Sequence, residues 1–92
     1  MPFADWLDSL GVKEQAAVAA RLARVEAGNF GDCKPVKSSR GIRELRIPKG
    51  PGYRIYFAED GKFIVLLLTG GDKKTQKKDI QKAKEFWREY QE

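Results

Sequence analysis

The chain has 92 residues, 41% hydrophobic and 34% charged, with a formal net charge of +5. This length suits one small α+β domain spanning 1–92, and no apolar run is long enough for a transmembrane helix or a membrane partner. Histidine is absent and Cys33 is the single cysteine, which excludes histidine-based acid–base and nucleophilic catalysis, an intramolecular disulfide and a cysteine zinc cluster.

Met1 to Trp6 has neither the basic start nor the apolar stretch of a secretory signal, so a cytoplasmic location is expected. Phe3, Trp6, Leu7 and Leu10 fall at i, i+3, i+4 and i+7, the stripe of a short amphipathic helix that Gly11 ends. A second helix is expected from about Lys13 to Ala27, with Val18, Leu22 and Val25 on one face and Gly28 as the stop. Together they make an αα-hairpin whose stripes are core, with Trp6 as a packing anchor. Asn29-Phe30-Gly31-Asp32 is turn chemistry, and Lys34 to Gly41 reads as an exposed basic loop around Pro35.

The period then changes to two. Ile42–Ile47 reads as a strand with Leu45 and Ile47 on one face and Glu44 and Arg46 on the other. Pro48 to Gly52 is a loop, because two prolines and two glycines cannot hold a ladder. Tyr53–Ala58 is a second strand, with Tyr53, Ile55 and Phe57 on one face and Arg54 and Tyr56 on the other. Asp60-Gly61, within the turn Glu59 to Lys62, signals a hairpin. Phe63–Leu68 is apolar on both faces and is expected in the middle of the sheet, broken by Gly70-Gly71. A last helix begins after Asp72 or Thr75 and runs to about Tyr90, burying Ile80, Ala83, Trp87 and Tyr90. The class is α+β: an N-terminal αα-hairpin packed on a small antiparallel meander of three strands, followed by a C-terminal helix.

Charge is unevenly spread. Residues 1–32 carry five acids and three bases, residues 34–54 carry seven bases against Glu44 alone, and residues 73–84 carry six lysines against Asp79. Two basic blocks flanking an apolar strand are the footprint of a phosphate-rich partner, weighed against the simpler reading that lysines solubilise a small domain. The alternation places Arg46, Arg54 and Tyr56 on one sheet face, away from the helices, with Lys49 on the loop beside them and Lys73 and Lys74 just past the third strand. Guanidinium forks grip phosphate oxygens and an aromatic ring stacks a base, so this face suits a phosphodiester.

Cleavage of RNA by its own 2′-hydroxyl needs a base, positive charge on the phosphorane and an acid for the leaving oxygen. Arg46 and Arg54 suit the charge role. The base is open between Glu44, Tyr56, and Lys49 or Lys73 with an ammonium weakened by neighbouring cations. Gly50-Pro51-Gly52 and Gly70-Gly71 lack the spacing of a nucleotide-binding loop, and Asp72, Asp79 and Glu85 are too dispersed for a magnesium site, so no metal or cofactor is expected.

Trp6-Leu7-Asp8-Ser9-Leu10, Gly28-Asn29-Phe30-Gly31-Asp32, Glu44-Leu45-Arg46-Ile47, Gly50 to Phe57 and Leu67 to Gln76 follow one another in this order. In these segments the chain resembles the addiction-module killer proteins of the RelE/ParE toxin superfamily. The resemblance spans almost the whole chain, and the G-x-G-Y-R-x-Y-F and G-G-D-K-x-T-Q strings together carry its specificity. It implies a type II toxin that cleaves mRNA in the A site of the 70S ribosome without a metal. A helix-turn-helix antitoxin holds such a toxin inactive, and operator DNA is met only through that complex. By position, Arg54 matches the arginine that stabilises the cleaved phosphate, Arg46 a basic residue on the preceding strand, and Lys73 a basic residue just after the last strand. Lys77, Lys78 and Lys82, with Lys49, Tyr56 and Lys74, are then expected against RNA. Two departures stand out: relatives begin with a strand, which leaves a sheet edge open here to a partner strand, and Glu44 stands where some have a second basic residue. A gyrase inhibitor of the same fold and a non-catalytic nucleic-acid binder are the alternative functions.

Overall fold

The computed structural model describes residues 2–61 and 63–92, and for Pro2 and residues 63–68 the backbone alone. Helices α1 (Pro2–Asp8) and α2 (Val12–Glu26) are followed by strands β1 (Cys33–Pro35), β2 (Arg43–Ile47), β3 (Tyr53–Asp60) and β4 (Phe63–Asp72). A 3-10 turn over Lys73–Thr75 then leads into helix α3 (Gln76–Gln91). The four strands lie in chain order and every pairing is antiparallel.

Local chemistry sets the boundaries. The Gln15 side-chain amide donates to the carbonyls of Leu7 (3.1 Å) and Leu10 (3.0 Å), which satisfies acceptors left over where α1 ends and ties it to α2. Helix α2 closes with amide bonds from Gly28 to Val25 O and from Asn29 to Arg24 O, and Gly28 has φ +90°. That left-handed conformation is cheap for glycine.

The sheet is the middle layer of three. One face carries Leu45, Ile47, Ile55 and Phe57 against Phe3, Val18 and Val25 of the helical hairpin. The other carries Ile42, Tyr56 and Ala58 against Ala83 and Trp87 of α3. The expected mixed architecture of helices around an antiparallel sheet is therefore what the chain forms, and Trp6 packs as expected against the hairpin-side core.

Several details differ from the sequence expectation. Helix α3 covers Ile42, Tyr56 and Ala58 on the face that also bears Arg46 and Arg54, so that face does not point away from all helices. A short strand β1 overlaps the start of the expected basic loop, with Cys33 paired to Leu45 and Pro35 to Arg43. A three-residue edge strand has too little sequence to show a period of two. Strand β4 is at the sheet edge, because hairpin connections in chain order leave the last strand outermost. Whether the side chains of Phe63–Leu68 are buried on both faces lies outside the described residues, as does Lys62 of the hairpin turn. Arg21 is buried on α2 where apolar residues alone were expected, its guanidinium donating to the carbonyl of Phe30. Tyr90 is 53% exposed instead of buried, with its hydroxyl on Asp60 (2.8 Å) and its ring stacked on Trp87.

Gly70-Gly71 does not break β4, which runs on to Asp72. The two glycines serve close packing on opposite faces. A Cβ at Gly70 would lie 2.4 Å from the Trp6 ring, and one at Gly71 would lie 1.9 Å from Asp79 Oδ2. Gly71→Ala should therefore destabilise the fold by about 2 kcal/mol in urea titrations, as overpacking does. Combined with Asp79→Ala the loss should fall short of the sum of the two single changes, and strict additivity would refute the contact as the cause.

Candidate functional site

The register puts Arg46 directly opposite Arg54 and Arg54 opposite Gly71, in one row across β2, β3 and β4. Two arginines facing each other across a ladder repel. The next row, Glu44, Tyr56 and Thr69, supplies the remedy. Glu44 Oε1 accepts from Arg46 Nε at 3.2 Å and stands 3.4 Å from Arg54 Nε, while Oε2 accepts from the Gln76 side-chain amide at 2.7 Å. The Glu44 side chain is 2% exposed, that of Arg54 12% and that of Arg46 37%, so the charges step outward from a buried anion toward solvent.

Helix α3 starts at Gln76 and leaves the arginine row open. There Arg46, Arg54 and Lys73 line one cavity of about 220 Å³, together with Asp32, Tyr53 and the chain around Pro48. The Arg46 amide donates to the carbonyl of Asp32 at 3.0 Å, which holds the start of β1 against the site. Lys73 reaches it because the β4 junction is capped: Asp72 Oδ1 accepts from the amides of Lys74 (2.9 Å) and Thr75 (3.2 Å), and the Thr75 hydroxyl donates to Asp79. This capping box fixes the turn that carries Lys73 and then places Gln76 over Glu44.

The other residues singled out in the sequence fall elsewhere. Tyr56 is fully buried beneath α3 and has no free face for a nucleobase. Burial, with the carboxylates of Glu44 and Asp79 nearby, pushes its phenol well above the usual tyrosine value, so it stays protonated and does not suit the role of base. Glu44, also considered as a base, has both carboxylate oxygens engaged in a buried network. Lys49 is exposed on the β2–β3 loop, and Lys74, Lys77 and Lys78 are exposed past the junction. Lys82 borders a different cavity, beside Trp6 and Glu85. Cys33 is half-buried, and burial pushes its thiol up despite Arg43 and Arg21, so it is not an activated nucleophile.

Two site residues escaped the sequence reading. Gln76 lies 32 positions from the carboxylate it holds, and no local period reports such a pair. Asp32 lies in a segment whose composition signals only a turn. The signal that could have found the anchor was Glu44 itself, a carboxylate on the same strand face as two cations.

Burial raises the Glu44 carboxyl pKa, but the hydrogen bonds from Gln76 and Arg46 and the charges of Arg54 and Lys34 outweigh it and hold it below its ordinary value. A carboxyl lowered by folding contributes stability above its unfolded pKa, and that contribution is lost as pH falls through the folded one. Glu44→Gln should therefore cost about 3 kcal/mol at neutral pH, since it leaves charged partners around a neutral group. The gap to wild type should narrow once the pH drops below the ordinary value of 4.5. A gap that stays constant into acid would show that ionisation of Glu44 does not matter.

No solved structure matches the chain. An uncharacterized protein of Haemophilus influenzae is 47% identical over 85 residues, covering 91% of this chain and 84% of that protein. The model of the phage-derived Gp49-like family (DUF891) matches residues 5–88, which takes in α2, the four strands, the arginine row and most of α3. The chain belongs to the phage-derived Gp49-like family.

Proposed function

We propose that this chain is the toxin of a type II toxin–antitoxin module, allied to the RelE/ParE superfamily, and that it cuts mRNA in the ribosomal A site. The observation that carries the reading is the single cavity lined by Arg46, Arg54 and Lys73, with the two guanidiniums oriented by a buried Glu44. A phage-derived family fits a mobile addiction module.

Arg46 Nε donates to Glu44 and Arg54 stands at ion-pair distance from the same oxygen, so the remaining guanidinium N–H groups are offered to the non-bridging oxygens of a phosphodiester. Their charge stabilises the phosphorane where another enzyme would use a metal. The 2′-hydroxyl oxygen forms a bond to phosphorus and its proton passes to the Asp32 carboxylate. The bond from phosphorus to the 5′-oxygen breaks, and the Lys73 ammonium protonates that oxygen. The products are a 2′,3′-cyclic phosphate and a 5′-hydroxyl end. Glu44 acts through the arginines as a positioning residue. A helix-turn-helix antitoxin neutralises the toxin, and operator DNA is contacted only by that complex. The ribosome holds the message in line for attack.

Mapping mRNA 5′ ends after brief induction tests this reading. Wild type should give new, translation-dependent ends in frame with codons. Arg54→Ala, Lys73→Ala and Asp32→Asn should each reduce them by about a hundredfold, the scale of a lost acid, base or oxyanion contact. Growth arrest with intact messages would replace the nuclease by a toxin with a protein target such as gyrase, and absence of arrest would leave a non-catalytic binder.

A further inference from the structure

A second basic cavity lies at the far end of α3. The loop between β1 and β2 is closed by the Val36 amide on Ile42 O (2.9 Å) and cross-tied by Ser39, whose hydroxyl donates to Val36 O (2.6 Å) and accepts from the Ile42 amide (3.1 Å). Within it Ser38 and Arg40 take φ of 55° and 58°. Side chains other than glycine adopt this left-handed region at a cost, and such strain concentrates where a residue must be presented in one direction. The Trp87 indole donates to the carbonyl of Arg40 at 3.0 Å, pinning the loop to the helix. Arg40, Lys84 and Arg88 line the resulting cavity of about 260 Å³, with Ser38 and Trp87. Among the described residues no carboxylate pairs with any of these three cations.

Lys84 also borders a neighbouring cavity of about 430 Å³ with Lys34 and Lys37, whose one carboxylate is the already engaged Glu44. The cations therefore run in a line along the seam between α3 and the β1 segment. On α3 itself Lys77, Lys84 and Arg88 share one helical stripe, whereas Lys78 and Lys82 share theirs with Glu85 and Glu89. Of the first set, Lys84 and Arg88 border the cavities.

We propose that the cradle of Arg40, Lys84 and Arg88 is a second nucleic-acid contact, which takes the phosphodiester backbone of a structured RNA roughly 20 Å along α3 from the Arg46, Arg54 and Lys73 pocket. The choice of RNA rests on the function proposed above; the choice of a polyanion rests on the cradle itself. A protein partner would need an apolar centre. Val12 and Tyr90 are the exposed large hydrophobics among the described residues, and neither lines this cavity. Two planar guanidiniums flanking a lysine match phosphate oxygens.

The test is fluorescence anisotropy of the full chain with a fluorescein-labelled RNA hairpin over a range of salt concentrations. Lys84→Gln with Arg88→Gln should weaken binding about tenfold near 0.1 M salt and lower the salt slope by between about one and two. Arg40→Gly should weaken binding while leaving the melting temperature unchanged or raised, because glycine relieves the left-handed strain. The charge-matched control Lys13→Gln with Arg24→Gln, on α2, should lose far less affinity. Equal losses in the two double variants would reduce the effect to net charge and overturn the site, as would no loss at all. Displacement of the hairpin by polyglutamate at the same charge concentration would also overturn it, in favour of an acidic protein. Intact messages in the induction experiment would remove the nuclease reading without altering this titration.

Discussion

A buried carboxylate organises the charged half of this molecule. Glu44 sits 2% exposed between two arginines that the strand register forces to face each other, and its second oxygen takes the amide of Gln76. Removing an anion from water costs several kcal/mol, so its retention makes sense only with the surrounding donors in place. The compensating groups come from β2, β3 and α3: Arg46 and Gln76 donate to the carboxylate, and Arg54 pairs with it by charge. The arginines are consequently oriented before any ligand arrives, which lowers the reorganisation a bound phosphate would demand.

The junction between β4 and α3 extends that constraint. Gly71 lets the Asp79 carboxylate close onto the strand, Asp72 caps the turn, Thr75 joins Asp72 to Asp79, and Gln76 reaches Glu44. Six consecutive residues thus set both the start of the helix and the placement of Lys73 at the cavity. The string G-G-D-K-x-T-Q is read most economically as a positioning device, with Lys73 the member that faces the open pocket.

Much of this was legible in the chain. The helical stripes of Phe3 to Leu10 and Val18 to Val25, the alternation in Ile42–Ile47 and Tyr53–Ala58, and the glycine stops give the layers and their faces. Arg46, Arg54 and Lys73 share a cavity because strand parity and hairpin connection already place them on one side. What the chain concealed is long-range. Whether α3 covers the arginine face depends on where the Lys73–Thr75 turn aims it, and no period encodes that direction. Tyr56 looked like a stacking surface because parity reports a face but not what lies above it. Arg21 and Glu44 are charged residues in buried positions, which composition counts as surface. Strand β1 is too short to show its own pattern.

Among the described residues the sheet also separates two hydrophobic clusters that share no side chain, one under the helical hairpin and one under α3. Each holds its own tryptophan, Trp6 at Gly70 and Trp87 on the Arg40 carbonyl. Layers joined chiefly through strand backbone open in separate cooperative units. Lifting α3 exposes Ile42, Tyr56 and Ala58 while Leu45, Ile55 and Phe57 stay covered, and it withdraws Gln76 from Glu44 in the same motion. Amide exchange in α3 is thereby coupled to the electrostatic balance of the arginine pair, which makes the last helix a gauge of the state of the site on the sheet beneath it.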